Sequence, residues 1–215
     1  MPKLLFLFIF LIVFIFSSCQ EDEDVYSPKP RGYPRIKFPE KTYRMFDSTC
    51  AYKFEIPTYV KVNSDGQSKN EPCWFNLDYL QFRATVHLSY KQVENNIERY
   101  IDDSHNFANK HQIKATGLEE TVIIRDSAKV YGLLFDIAGN TASSLQFYIT
   151  DSTKHFVRGA LYFNCVPNID SLKIVVDFIR EDLIHLINTA TWKNEAYYPK
   201  ETTPRYCAII PKKNN

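Results

Sequence analysis

Glycine is scarce, with 6 among 215 residues. That leaves little room for collagen-like chains, blade repeats or glycine-rich phosphate loops. No excess of one charge exists either: 26 basic residues face 25 acidic ones, for a formal charge of +1. A protein built around nucleic-acid binding usually carries a strongly basic domain, so that class is disfavoured. No Gly-x-Ser-x-Gly, Walker loop or His-Glu-x-x-His occurs, and no Cys-x-x-Cys. The histidines are His87, His105, His111, His155 and His185, and no pair has metal-ligand spacing. His105 and His111 are six apart on one helical stretch, about 600° of rotation, so they face apart. Asp102 and Asp103 are adjacent and point to different sides of the same stretch. We therefore assign no catalytic, cofactor-binding or metal residue, and expect no enzyme. A pocket gathering His87 with acids would argue otherwise.

What is present begins with an address. Leu4 to Phe16 is an unbroken apolar run of thirteen residues after the single charge Lys3. A membrane-spanning helix needs about 20 apolar residues, so this run matches the core of a secretory signal. Phe16-Ser17-Ser18-Cys19 resembles a bacterial lipoprotein cleavage box. The resemblance implies cleavage before Cys19 and acylation of its thiol by palmitate-type chains. Each buried methylene contributes about 0.8 kcal/mol, so two or three chains hold a protein on a bilayer. Gln20-Glu21-Asp22-Glu23-Asp24 follows. It reads as a solvated spacer, and it also resembles the acidic export tag of surface lipoproteins. We expect a cell-envelope protein anchored by lipid, most simply on the periplasmic face of an outer membrane rather than on the cell surface.

Cleavage leaves 25 basic and 25 acidic residues. Pro28, Pro30, Pro34 and Pro39 keep the next stretch extended, because proline fixes φ and lacks an amide hydrogen. Residues 1–18 are thus a signal and 19–39 a lipidated, acidic and proline-rich tether. A single domain is expected over 40–190, followed by an irregular tail over 191–215.

Within the domain, Tyr52, Phe54 and Ile56 alternate with polar residues, and Tyr59 to Val62 continues that strand past a bend or lies at an edge. Trp74 to Tyr79 and Phe82 to Leu88 alternate in the same way. A helix is expected from between Ser89 and Gln92 to His111, with Val93, Ile97, Ile101, Ser104 and Ala108 on one stripe. Four strand candidates follow, at 120–126, 129–137, 143–150 and 155–165. Their short links imply an antiparallel meander. A last helix runs from Ile169 to about Asn188, with Asn168 or Asp170 as its cap. The order predicts an α+β fold, an antiparallel sheet with two main helices packed on it. The periodicity leaves open whether the helices share a face. The order is similar to the Mog1/PsbP-like α/β/α sandwich.

Export places Cys50, Cys73, Cys165 and Cys207 in an oxidising compartment. Four cysteines allow three full pairings. Cys50–Cys73 would close a modest loop, and Cys165–Cys207 would clip the tail to the domain. Four buried thiols is the remaining possibility. Trp192, Tyr197 and Tyr198 read either as a glycan platform or as a staple holding the tail.

Several segments together resemble the GldD family of gliding-motility lipoproteins from Bacteroidetes-type bacteria. They are Pro28-Lys29-Pro30-Arg31-Gly32-Tyr33, Tyr52-Lys53-Phe54-Glu55-Ile56-Pro57 after Cys50, Cys73-Trp74-Phe75-Asn76-Leu77-Asp78 and His87-Leu88-Ser89-Tyr90-Lys91. Phe135 to Asn140, Ser144 to Tyr148 and Arg158 to Phe163 are similar too. The resemblance implies a non-catalytic envelope lipoprotein that supports the gliding and type IX secretion machinery through protein contacts. By the matching motif, Arg31, Gly32 and Tyr33 are the expected partner contact. The aromatic content keeps a surface glycan- or ligand-binding lipoprotein as the alternative.

Overall fold

A computed structural model describes residues 35–66, 68, 71–111, 114–165 and 168–193. All but Arg35 belong to the unit Ile36–Asn215. The chain forms β1 (Tyr43–Asp47), β2 (Tyr52–Pro57), β3 (Lys61–Ser64), β4 (Phe75–Tyr79) and β5 (Ala84–Gln92) before α1 (Ile97–Asn109). Then come β6 (Ala115–Arg125), β7 (Val130–Gly139), β8 (Leu145–Thr150), β9 (His155–Phe163), α2 (Ile169–Thr189) and β10 (Thr191–Trp192). Seven strands make one antiparallel sheet in the order β3-β4-β5-β9-β8-β7-β6, and β1-β2-β10 make a small second sheet.

Alternation along the strands sorts side chains onto two faces. Leu134, Phe147, Ile149 and Val157 join one buried cluster with Val176, Ile179, Leu183 and Leu186 of α2. Their chain neighbours Phe135, Tyr148 and Phe156 join a second cluster with Ala108 of α1. The two helices therefore pack on opposite faces of the large sheet. The small sheet contributes Tyr52, Phe54 and Ile56 to the α2 side. The architecture is α+β, with helix, sheet and helix in layers.

The meander from β6 to β9 and the span of α2 agree with the expected pattern. The first helix does not start where expected. Its strand runs on to Gln92, which pairs with His155 of β9, and α1 begins only at Ile97. Tyr90 continues the buried alternation at 1% exposure, and ladder pairing wins over the helical stripe. Val93, assigned to that stripe, is buried beside α1 from the loop before it. The strand expected from Phe82 starts at Ala84, because Leu80–Phe82 form a 3₁₀ turn closed by Arg83 at φ 51°. Of the two expected caps of α2, Asn168 makes no side-chain cap bond, and its carbonyl instead accepts from the amides of Ser171 and Leu172. The side chain of Asp170 lies outside the described residues.

Packing also reaches beyond the expected domain limits. Ile36 and Phe38, inside the stretch assigned to the tether, pack against the core. Phe38 stacks on Phe178 of α2 at 4.6 Å. At the other end, Thr191 and Trp192 pair with Lys53 and Tyr52. Among the described residues, no helix is long and apolar enough to cross a membrane.

Candidate functional site

The helix α1 packs on β8 and β9 and leaves the polar face of β3, β4 and β5 open. On β5, Val86, Leu88 and Tyr90 point into the core, so His87, Ser89 and Lys91 point to the α1 side. A groove of about 490 Å³ opens where the flank of α1 meets this face. Arg99, Asp103 and Phe107 line it from α1, four residues apart and hence on one face. Trp74 and Asn76 line it from the β4 side, and Phe156 and Arg158 from β9.

Most of these groups are fixed. The Trp74 indole N–H donates to the Tyr90 carbonyl at 2.9 Å, and Lys91 Nζ lies 4.8 Å from the indole centre. Lys91 also pairs with Glu71 at 2.5 Å. His87 Nδ1 meets Asn76 Oδ1 at 2.7 Å; the amide oxygen can only accept, so Nδ1 donates. Arg158 donates to Gln146 Oε1 at 2.5 Å, and its guanidinium lies 4.6 Å from the Phe107 ring centre. Burial pushes the Arg158 guanidinium pKa down, and Tyr162 offsets part of this. Burial, with the Arg158 charge as a smaller cause, pushes the His111 pKa down as well.

The groove does bring His87 together with Asp65 and Asp103. Among the described residues, no hydroxyl or thiol hydrogen-bonds His87 Nε2, so the nucleophile–base contact of covalent catalysis is missing. Also among the described residues, no group of three or more His, Cys, Asp or Glu could hold a metal ion.

A second polar centre has a structural character. Asp182 of α2 is 1% exposed. It accepts from Lys41 at 2.9 Å, Tyr43 at 3.1 Å and Tyr59 at 2.7 Å. Burial, with the Asp182 charge and hydrogen bond, pushes the Tyr43 pKa up to about 12 and that of Tyr59 higher still. Tyr79 is buried against the same centre, but its hydroxyl falls short of a hydrogen bond.

A third feature is the outer edge of β6, open among the described residues. This eleven-residue strand pairs with β7 and ends the large sheet. Val122 and Ile124 lie on it at 65% and 67% exposure. An exposed apolar edge offers unpaired backbone groups to another chain.

Of the residues singled out in the sequence, Cys19, Arg31, Gly32, Tyr33, Tyr197, Tyr198 and Cys207 lie outside the described residues. Cys50 and Cys73 are joined by a disulfide, with Cα atoms 5.7 Å apart. Cys165, just past β9, is exposed and bonds no cysteine among the described residues. Trp192 is a staple: its indole N–H donates to the Lys129 carbonyl at 2.8 Å, and its ring stacks on His155 at 5.3 Å. The groove residues Arg99 and Phe107 carried no motif, and Arg158 entered only as the start of a segment similar to the family. The available signal was one cation, Arg158, inside the apolar strand Phe156 to Leu161.

The family model described as gliding motility lipoprotein GldD matches residues 23–192. The chain belongs to this family. The match spans almost all the described residues, from the packed end of the tether to Trp192. The family is not a known enzyme family, and membership makes this a gliding-motility-associated lipoprotein. No curated protein sequence matches the chain. Among solved structures, it is similar to the solution structure of cyanobacterial PsbP (CyanoP) from Synechocystis sp. PCC 6803. That likeness has 11% identity and a TM-score of 0.42, and covers 74% of this chain and 98% of that one.

Proposed function

We propose that the protein is a non-catalytic, lipid-anchored component of the cell envelope that supports assembly or stability of the gliding and type IX secretion machinery through protein–protein contacts. The family match over residues 23–192 carries this reading. Acyl chains on Cys19 hold the protein at the outer membrane, facing the periplasm. The Arg31-Gly32-Tyr33 motif in the tether, the groove beside α1 and the outer β6 edge are the contact surfaces. The test is complementation of a deletion strain. Cys19→Ala moves the protein out of the membrane fraction and abolishes gliding. Arg31→Ala with Tyr33→Ala, or Val122→Lys with Ile124→Lys, leaves the protein folded and reduces capture of motor or secretion components by crosslinking. Normal gliding with Cys19→Ala would refute the anchored role.

The groove also favours a second reading, a ligand-binding lipoprotein of the cell surface. Trp74, not the stapled Trp192, is the tryptophan that lines it. Binding on a glycan array, lost in Trp74→Ala and retained in Trp192→Phe, would support this reading. Protease shaving of intact cells reports the leaflet.

A further inference from the structure

Most described cations with an ion pair have a nearby carboxylate of their own. Lys41 pairs with Asp182, Lys91 with Glu71, Arg180 with Asp136 and Lys193 with Asp47. Others, such as Arg44 and Arg125, bond only backbone carbonyls. Arg158 and Arg99 are set apart by their place: both line the groove beside α1, and neither is in an ion pair among the described residues. Arg158 is half-buried, and taking a guanidinium out of water without a counter-ion costs free energy. Its bonds are to neutral groups: Gln146, 1% exposed and behind the groove lining, accepts from it through Oε1. An anion entering the groove would supply the counter-charge that Arg158 lacks among the described residues.

The rest of the lining narrows the anion. Asp65 and Asp103 share the groove with the two guanidiniums. A polyanion such as a nucleic acid or a uronate polymer would meet those carboxylates and be repelled. A single carboxylate with cations close by would match the pattern of charge. Phe107 is 42% exposed over Arg158, and with Trp74 it offers ring faces to an aromatic neighbour.

We infer that the groove binds an acidic side chain on a mixed-charge, aromatic-bearing segment of a partner protein, with Arg158 and Arg99 holding the carboxylate. This deepens the protein-contact reading above and rests on it. Charge-assisted hydrogen bonds of this kind contribute about 1.5–3 kcal/mol, so removing one weakens binding at least about tenfold.

The experiment is a titration of the purified mature protein, followed by calorimetry and two-dimensional NMR. The probe is the peptide acetyl-Lys-Phe-Glu-Lys-amide, with a Gln-for-Glu peptide and sodium glucuronate as controls. The expected result is saturable binding of the Glu peptide, with shifts confined to α1, β5 and β9. The Gln peptide and glucuronate bind at least about tenfold more weakly. Arg158→Gln and Arg99→Gln each lower affinity by a similar factor. Arg158→Gln also loses the contacts to Gln146 and Phe107, so its melting temperature is measured alongside; Arg99→Gln, on the exposed flank, leaves the fold untouched and tests the site even where Arg158→Gln is destabilised. Equal binding of the Glu and Gln peptides, or indifference to both variants, would overturn the site. Glucuronate binding as tight as the peptide would overturn the protein partner in favour of a sugar acid. The Cys19→Ala gliding assay fails or succeeds independently, so loss of this site leaves the family role standing.

Discussion

Lys41 and Asp182, 141 residues apart, form an ion pair of 2.9 Å whose carboxylate is 1% exposed. The same ammonium donates to the Phe178 carbonyl at 2.6 Å and lies over the Phe178 ring at 3.9 Å. This contact fastens the chain just before β1 onto α2. Asp182→Ala leaves one ammonium and two phenol hydroxyls without their acceptor. The expected loss is about 3 kcal/mol, or about 10 °C in melting temperature for a domain of this size. Asp182→Asn keeps one acceptor oxygen and loses less. Thermal melts of both variants check the order, and an unchanged Asp182→Ala would show that the centre contributes nothing.

Gly159 of β9 pairs with Phe147 of β8, and the Phe147 ring fills the space above it. A Cβ at this position would lie 2.1 Å from Phe147 Cε1. Gly159→Ala therefore displaces a ring in the centre of the large core, at a cost of about 2 kcal/mol. In a double-mutant cycle with Phe147→Leu the two changes should couple by at least about 1 kcal/mol. Additivity in denaturant unfolding would rule out the contact.

The Cys50–Cys73 bond closes a loop of sequence separation 23. In the loop-entropy account such a bond stabilises by about 3 kcal/mol. Cys50→Ser with Cys73→Ser should lower the denaturant midpoint accordingly. Cys50 and Cys73 are 1% and 3% exposed, whereas Cys165 is exposed. Peptide mapping after alkylation, without reductant, should leave Cys50 and Cys73 unlabelled. It also decides Cys165: labelling means a free thiol, and a linked peptide with Cys207 means the tail is clipped. A third outcome, labelled Cys50 and Cys73 in the folded protein, would refute the described bond.

The pKa of His155 lies below that of a free imidazole. Burial lowers its pKa, the Asp151 carboxylate opposes this, and the Lys154 charge adds to the lowering. Its ring bonds the Tyr90 hydroxyl at 2.8 Å and stacks on Trp192. His111 is lowered by burial as well. Below about pH 6.5 the unfolded chain binds more protons than the fold, so stability falls as pH drops through that value and levels below the folded pKa values. Asp151 titrates in a separate, lower window. Burial raises its pKa, but amide bonds from Lys154, His155 and Thr153 outweigh it, and this support is lost as pH falls through the lowered value. His155→Gln with His111→Gln should flatten the slope of melting temperature between about pH 7 and 5. An unchanged slope would place the protons elsewhere.

Much of the layered fold could be read along the chain, for a local reason. The meander strands and α2 carry their faces in short-range alternation, which pairing and burial then reinforce. Tyr43–Asp47 was missed because β1 is half-exposed and buries neither of its aromatic residues fully. The late start of α1 was missed because Ser89 to Gln92 satisfies both periods, and only the β9 partner strand chose between them.

By itself, the sequence determined the family and the α+β class with its strand meander. The class depends on local pattern: period-two strands, and a period of three and four in α2. Tertiary structure alone decided that the helices take opposite faces. It also set Arg99 and Arg158, 59 positions apart in number, on one groove, neither of them in an ion pair among the described residues. A cation's partner is a matter of distance in space, and no spacing along the chain encodes it. The same holds for the outer β6 edge, which exists only because six other strands lie on one side of it. Scarce glycine, the first feature of the sequence, is likewise resolved by packing: Gly159 has its place because the Phe147 ring occupies the space of a side chain.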